Sequence, residues 1–306
     1  MEIISQTMEF KIEEHTAIAI GKFDGIHRGH RRLLQEIFRA KALGLKTAVF
    51  TFDPSPAVFL RGTQVRELMT REEKRAQFAQ MGVDYLVEYP FNSETAAVAP
   101  DDYVNHFLLQ KMNASFIAAG EDVSYGHKGA GDAKLLQTIA GEHGVQVCII
   151  PKLSYNGREI SSTYVREAVQ AGNMELAEAL MGQPFLVQGI VERGNQIGRT
   201  IGMPTVNVHP PMQKITPPNG VYFTTVRHGD RTYYGVTNVG FKPTVEQRRH
   251  LGVETFLFDF HEDIYDQEIT VFLHHFKRPE MKFDSLGALQ AAIAQNVEDA
   301  RDYFQL

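Results

Sequence analysis

The feature that most constrains the fold of this chain is a regular alternation of apolar and amphipathic segments before residue 182. The apolar runs are TAIAI (16–20), TAVFTF (47–52), DYLVEYPF (84–91), SFIAAG (115–120) and VQVCII (145–150). Near-continuous apolar strands that alternate with helices are typical of a parallel sheet covered on both faces. We therefore predict a doubly wound α/β domain over residues 1–182, with ligands at the carboxyl ends of its strands. Two helical segments, 161–172 and 174–182, complete this domain.

The pattern changes after residue 182, where the segment MGQPF supplies a glycine and a proline for a linker. The segments that follow are short, rich in Val, Thr, Tyr and Phe, and separated by Gly, Pro and Asn, as in GVYFTTVRHG and EITVFLHHF. This composition predicts an antiparallel β-barrel domain over residues 183–306. The last amphipathic segment, 285–304, predicts a closing helix that packs across the barrel.

Composition limits the classes of partner. The net charge of −6 argues against a protein that wraps nucleic acid, although a few local donors suffice for small phosphorylated ligands. The single cysteine excludes an intrachain disulfide, and no apolar run approaches the ~18 residues of a membrane span. The N-terminus lacks the features of a signal peptide. We expect a cytoplasmic protein with neither nucleic acid nor a membrane as partner. The oligomeric state is unknown from the sequence.

The first candidate site is IGKFDGIHRGH (20–30), where the first strand gives way to a helix. A helix N-terminus offers unpaired N–H groups and about half a positive charge, which attract phosphate. His27 and His30 can be directed at the same phosphate oxygens, and Gly29 lets a nucleotide approach the backbone. Two solvated histidines would be the simpler explanation of a bare H-x-x-H. The position directly after an apolar strand favours a phosphate site.

The second candidate site lies in GRTIGMPTVNV (198–208). Thr205 and Asn207 are two residues apart in an extended segment, so their side chains leave on the same face. A hydroxyl and an amide oxygen are hard ligands suited to Mg²⁺. A Thr/Asn pair on a solvated sheet face is the alternative explanation of PTVN alone.

A carboxylate in VETFLFDF (253–260) belongs to the same half. Strand alternation places Glu254 with Phe256 and Phe258 on one face, which we predict to point inward. A buried carboxylate is usually partnered or functional, and desolvation would suit it to act as a general base. A buried ion pair with an arginine and a reversed strand face remain alternatives.

Several motifs resemble one protein family. GKFDGIHRGH (21–30) resembles the H-x-G-H signature of the nucleotidyltransferase superfamily, in the form found in bacterial bifunctional riboflavin kinase/FAD synthetases. ISSTYVR (160–166) is similar to the second signature of that superfamily, and GRTIGMPTVN (198–207) to the riboflavin kinase signature. Two positions depart from the family pattern: Ser55 replaces a histidine and Val123 replaces a phenylalanine.

The resemblance implies a bifunctional enzyme that phosphorylates riboflavin with ATP, giving FMN and ADP, and then adenylylates FMN with ATP, giving FAD and pyrophosphate. It implies Mg²⁺ as cofactor, held by Thr205 and Asn207, with Glu254, His27 and His30 as catalytic residues. The implied nucleotide- and phosphate-binding residues are Gly21, Phe23, Asp24, Gly25, Gly29, Ser161, Ser162, Thr163, Arg166, Gly198, Arg199, Gly202 and Pro204. The implied flavin-binding residues are Asp122 and Gly126.

Three alternatives belong to other classes of function. The first is a riboflavin kinase whose N-terminal half has lost transfer activity, which Ser55 and Val123 motivate. The second is a non-catalytic flavin-binding regulator, and the third is a nucleotidyltransferase for a different phosphorylated alcohol. The presence of both sets of motifs in one chain favours the bifunctional enzyme.

Overall fold

The structure is a computed structural model that describes residues 1–62, 66–193, 204–243 and 249–306. Its contacts divide the chain into two compact units. The first unit comprises Met1–Val65 and Arg71–Ser162, and the second comprises Arg66–Thr70 and Thr163–Leu306.

The first unit is built on a parallel sheet. Its strands are β1 (Glu2–Ser5), β2 (Thr16–Ile20), β3 (Lys46–Asp53), β4 (Tyr85–Pro90), β5 (Ala114–Gly120) and β6 (Gln146–Ile150). Within the described residues the order is β1-β4-β3-β2-β5-β6, and every neighbouring pair is parallel. All residues of β2 are buried, as expected for a strand covered on both faces. The predicted doubly wound sheet is confirmed, and β1 is an edge strand that the sequence pattern did not predict.

Helices cover this sheet. They are α1 (Arg28–Ala40), α2 (Pro56–Arg61), α3 (Arg71–Met81), α4 (Ser93–Ala96), α5 (Pro100–Asp102) and α6 (Ala133–Glu142). Helix α1 buries Leu33, Leu34 and Ile37 and packs against β2, β3 and β5. A π-helical segment, Tyr103–Lys111, follows α5, and a short hairpin pairs β7 (Ser154–Tyr155) with β8 (Arg158–Glu159).

The strand order brings together the loops that follow β2 and β5, at the carboxyl ends of the strands. The chain runs from β2 outward through β3 and β4, then crosses back to β5 on the other side of β2. The carboxyl ends of β2 and β5 are therefore adjacent at the point where the strand order reverses, which is where open α/β sheets bind ligands. The two histidines follow β2, and Asp122 follows β5.

The second unit is an antiparallel barrel with helices. Besides residues 66–70, it contains α7 (Ser162–Gln170, whose first residue belongs to the first unit), α8 (Met174–Met181), β9 (Phe185–Ile190), β10 (Thr205–Val208), β11 (Gly220–His228), β12 (Arg231–Pro243), β13 (Arg249–Leu257), β14 (Glu268–Pro279) and α9 (Leu286–Phe304). Within the described residues the strand order is β10-β13-β12-β11-β14-β9. The Glu192 N–H donates to the Asn207 carbonyl at 2.8 Å and joins the two edges, so the sheet closes. The predicted antiparallel barrel with a closing helix is confirmed.

Helix α8 packs against β9 and β14, so the contacts group it with the barrel. The sequence pattern instead placed the segments of α7 and α8 with the α/β half. The boundary predicted after residue 182 stays a prediction.

The orientation of β13 differs from the prediction. Phe256 and Phe258 pack, with Ala300 of α9, in a cluster on the side of the barrel that α9 covers. The opposite face carries Val253 and Thr255, which are fully buried. Glu254 therefore does not share the interior face. The alternation alone could not distinguish the faces because α9 gives the outer face an apolar cover as well.

Candidate functional site

The loop between β2 and α1 holds the first motif in a tight turn. Phe23 and Gly25 have left-handed backbone conformations, with φ of +50° and +83°. Phe23 and Asp24 are buried. The Ser162 hydroxyl donates to the Asp24 carbonyl at 2.9 Å. The start of the second predicted motif therefore meets the first motif, which lies far away in the sequence.

The two histidines form a stacked pair at the N-terminus of α1. Their ring centroids are 3.8 Å apart with an interplanar angle of 17°. The Nδ1 atom of His27, the N-cap residue, accepts a hydrogen bond from the His30 backbone N–H at 3.4 Å. His27 is 8% exposed, and His30 is partly buried. The two imidazoles are therefore adjacent, and their joint binding of a phosphate stays a prediction.

The surroundings keep both histidines neutral. Burial lowers the pKa of His27 to about 4, against a smaller opposing effect of the Asp122 carboxylate. Burial, and secondarily the neighbouring His27, hold the pKa of His30 well below its usual value. At neutral pH both rings therefore offer a phosphate an N–H donor and no positive charge. The pair is a candidate functional site because strongly shifted titratable groups in a ligand crevice are typical of such sites.

Two glycines of this loop serve the packing of aromatic rings. A Cβ atom on Gly29 would lie 3.2 Å from two atoms of the His27 ring. A Cβ atom on Gly21 would lie 3.1 Å from the Phe23 ring. The sequence explanation for Gly29 was the approach of a nucleotide to the backbone. The structure adds a second reason, since a larger residue would press on the histidine.

The predicted flavin-binding residues lie after β5. Asp122 acts electrostatically on His27, and its carboxylate is 3.7 Å from the Lys152 ammonium. Gly126 has φ of +72°, and a Cβ atom there would lie 2.8 Å from the Pro100 backbone, so the fold itself requires glycine. Val123 packs against the apolar core of the first unit. Flavin binding by Asp122 and Gly126 stays a prediction.

The remaining residues of the ISSTYVR motif (160–166) lie around the start of α7. Ser161 is half-buried and precedes α7, while Thr163 and Arg166 lie on α7 and are grouped by contacts with the second unit. Their phosphate-binding roles stay predictions.

The second candidate site lies across β10 and β13. The Thr205 hydroxyl donates to the Glu254 carboxylate at 2.8 Å. The register pairs Asn207 with Glu254, so the three side chains share one face of the sheet. Asn207 is buried, whereas Thr205 and Glu254 are half-buried. The prediction that Thr205 and Asn207 share a face is confirmed.

The loop before β10 is only partly described. Pro204 is exposed and directly precedes β10. The predicted nucleotide-binding residues Gly198, Arg199 and Gly202 lie outside the described residues.

The structure adds polar residues to the second site that sequence reasoning did not single out. Asn238 on β12 is opposite Glu254 in the β12–β13 register. Its amide donates to one oxygen of Glu280 at 3.2 Å, and the Asn219 amide donates to the other at 3.3 Å. A lone asparagine within the strand YYGVTNVG is the signal that could have indicated Asn238.

Two features are absent from the part of the chain that the structure describes. In residues 1–62, 66–193, 204–243 and 249–306, no group of three or more His, Cys, Asp or Glu side chains is arranged to hold a metal ion. No helix in those same ranges is both long enough and apolar enough to cross a membrane.

Together, a doubly wound α/β unit with a polar site at its switch point and a barrel with its own polar site define a two-domain, nucleotide-using class of protein. Residues 9–164 match the family model of FAD synthetase, and residues 181–304 match that of riboflavin kinase. The chain belongs to the family of bifunctional riboflavin kinase/FMN adenylyltransferases.

Individual proteins support this membership. The bifunctional riboflavin kinase/FMN adenylyltransferase of Listeria monocytogenes is 34% identical over 290 residues, which cover 94% of this chain and 92% of that protein. The protein of the same name from Escherichia coli is 36% identical over 297 residues, covering 96% and 94%. A crystal structure described as a macrolide-efflux protein from Streptococcus pneumoniae has a TM-score of 0.86 and 28% identity, covering 98% of each chain.

These matches confirm the predicted function at the level of the whole chain. The chain is a transferase that carries both a riboflavin kinase domain and an FAD synthetase domain, and its ligands are flavins and ATP.

Proposed function

We propose that each unit catalyses one of two successive reactions. The second unit transfers the γ-phosphoryl group of ATP to the 5′-hydroxyl of riboflavin, giving FMN and ADP. The first unit joins the AMP part of another ATP to the FMN phosphate, giving FAD and pyrophosphate. The observation that carries this assignment is that each unit has its own polar site, the histidine pair in one and the Thr205–Glu254 pair in the other.

In the kinase reaction, Glu254 accepts the proton of the riboflavin 5′-hydroxyl as its oxygen attacks the γ-phosphorus. The bond from Thr205 holds this carboxylate in place on the sheet face. General-base help of this kind contributes roughly 10²–10⁴-fold. Positioning and charge neutralisation supply the larger part of phosphoryl transfer.

Thr205 and Asn207 are the residues that would hold Mg²⁺. Their hydroxyl and amide oxygens are hard donors, which fit this cation. A hydroxyl has one proton and two lone pairs, so Thr205 can donate to Glu254 and still offer a lone pair to a metal. Bound Mg²⁺ would neutralise charge on the nucleotide phosphates.

In the adenylyl transfer, the FMN phosphate is already an anion and needs no general base. The site must bring two polyanions together in line. The ring N–H groups of His27 and His30 and the N-terminus of α1 are donors that would stabilise charge on the reacting phosphates. The Ser162 hydroxyl donates its proton to the Asp24 carbonyl and so holds the loop that carries the histidines. We propose Thr163 and Arg166 of α7 as further phosphate-binding residues.

Chromatography of the products formed from riboflavin, excess ATP and Mg²⁺ tests these assignments. We expect no FMN from Glu254→Ala, although this variant should still convert added FMN to FAD. We expect His27→Ala to accumulate FMN without FAD. Chelation of Mg²⁺ should stop FMN formation.

Two exposed residues provide matched controls. Glu268→Ala on β14 and His143→Ala after α6 should make FAD like the unaltered chain. Undiminished FAD from His27→Ala would remove the role of the histidine pair. Undiminished FMN from Glu254→Ala would remove the role of the base.

A further inference from the structure

The imidazole of His30 is positioned by neighbouring rings. Its Nδ1 atom is buried and has no hydrogen-bond partner among the described residues. One face of the ring stacks on His27, and Phe23 packs against it with ring centroids 5.0 Å apart and an interplanar angle of 46°. Because no hydrogen bond to Nδ1 orients the ring, its position depends on the rings that surround it.

Phe23, which packs against His30, also packs against a second aromatic ring. Its ring is fully buried and meets Phe78 of α3 edge to face, with centroids 5.4 Å apart and an interplanar angle of 86°. Phe78 is 1% exposed. The left-handed backbone of Phe23 is a strained conformation that persists only where the surroundings hold it. The Phe78 ring is one of the groups that hold Phe23 in this conformation.

We infer that Phe78 is a positioning residue for adenylyl transfer, acting on His30 through Phe23. The contacts Phe78–Phe23 and Phe23–His30 form a continuous path from helix α3 to the imidazole. This inference rests on the proposed function of the histidine pair and extends it to a helix outside both motifs. A shift of one ring along this path would move the imidazole relative to the phosphates.

The same path affects the environment of His30. The apolar rings contribute to the burial that lowers the pKa of His30. The charged or titratable groups that act electrostatically on the pair are His27, which also lowers the pKa of His30, and Asp122, which acts on His27. A smaller side chain at position 78 would let Phe23 move and admit water, so the pKa of His30 would rise toward its usual value.

The variant Phe78→Leu tests the inference because it keeps an apolar side chain and removes the ring edge. We expect kcat for FMN adenylylation to fall about tenfold or more, with the KM for ATP nearly unchanged, because small displacements of a catalytic group have effects of this size. The kinase rate should be unaltered. Phe78→Met serves as a second variant if Phe78→Leu does not fold.

Phe107→Leu is the matched control. Phe107 is a buried aromatic residue of the same unit that packs against Tyr89 and Tyr103 in an apolar cluster without Phe78 or Phe23, so its loss costs stability by a similar mechanism away from the histidines. At a temperature where both variants are folded, NMR titration of the His30 ring should show a raised pKa in Phe78→Leu and an unchanged one in Phe107→Leu. Equal adenylylation rates or equal titrations in the two variants would overturn the inference.

His30→Ala separates this inference from the proposed function. Continued FAD formation by His30→Ala would contradict the function proposed for the pair. Loss of FAD formation in His30→Ala together with full activity in Phe78→Leu would overturn only the role of Phe78.

Discussion

At the scale of single residues, the histidine pair shows how surroundings decide the charge of a side chain. The spacing H-x-G-H indicates two imidazoles near one phosphate but not their protonation state. In the structure the two rings stack at 3.8 Å, a distance at which two positive rings would repel each other. Burial further disfavours the charged form. We therefore interpret the pair as neutral hydrogen-bond donors.

The pKa of His27 predicts a loss of stability in acid. The folded pKa is lowered from 6.5 to about 4, so between these pH values the unfolded chain binds the proton more tightly. The stabilisation is complete above pH 6.5 and decreases as the pH falls, by up to about 3 kcal/mol. Urea unfolding measured from pH 7.5 to 4.5 checks this. The variant His27→Gln should show a smaller dependence on pH in this window, and an equal slope in both proteins would contradict the prediction.

At the scale of elements, the loops that follow β2 and β5 depend on backbone conformations that side chains disfavour. Gly25 and Gly126 both have positive φ, and Gly126 also approaches the backbone of Pro100 closely. These loops bring His27 and Asp122 together at the carboxyl ends of β2 and β5. A glycine in such a motif therefore has a structural explanation that is independent of ligand binding.

Gly126→Ala should destabilise the first unit by roughly 1–3 kcal/mol, because it combines a strained backbone with a steric clash. Gly144→Ala is a suitable control, since Gly144 has the same φ of +72° and an added Cβ would meet nothing within 4 Å. Thermal unfolding of both variants measures the difference. Equal losses of stability would show that the approach to Pro100 contributes nothing.

At the scale of the whole molecule, the second unit includes a short segment, Arg66–Thr70, that lies in the N-terminal half of the sequence. The Glu67 N–H donates to the Gln213 carbonyl at 2.7 Å, and the Ile215 N–H donates to the Glu67 carbonyl at 2.8 Å. Lys214 between them is 1% exposed, and its ammonium donates to the Leu68 carbonyl at 2.9 Å. The two units are therefore not two consecutive stretches of chain.

Lys214→Met should lower the free energy of unfolding of the second unit by roughly 1–3 kcal/mol, because it removes a buried hydrogen-bond donor. It also removes the contact of the ammonium with the Phe185 ring, 4.7 Å away. Urea unfolding is the measurement. Arg231→Met is the control, since Arg231 forms an exposed ion pair with Glu262 that should contribute little. A cost for Lys214→Met no larger than that of the control would refute this prediction.

The sequence by itself determined the classes of both domains and the residues of their motifs. Continuous apolar strands between helices require a covered parallel sheet, and short β-rich segments between turns predict a barrel. Only the tertiary structure decided which face of β13 is interior, because α9 covers the outer face and makes both sides apolar. Only the tertiary structure brought Phe78 to Phe23 and Ser162 to Asp24, and only burial made the histidines neutral. Local patterns report periodicity and residue chemistry, whereas contacts between distant segments and the exclusion of water arise only when the chain is packed.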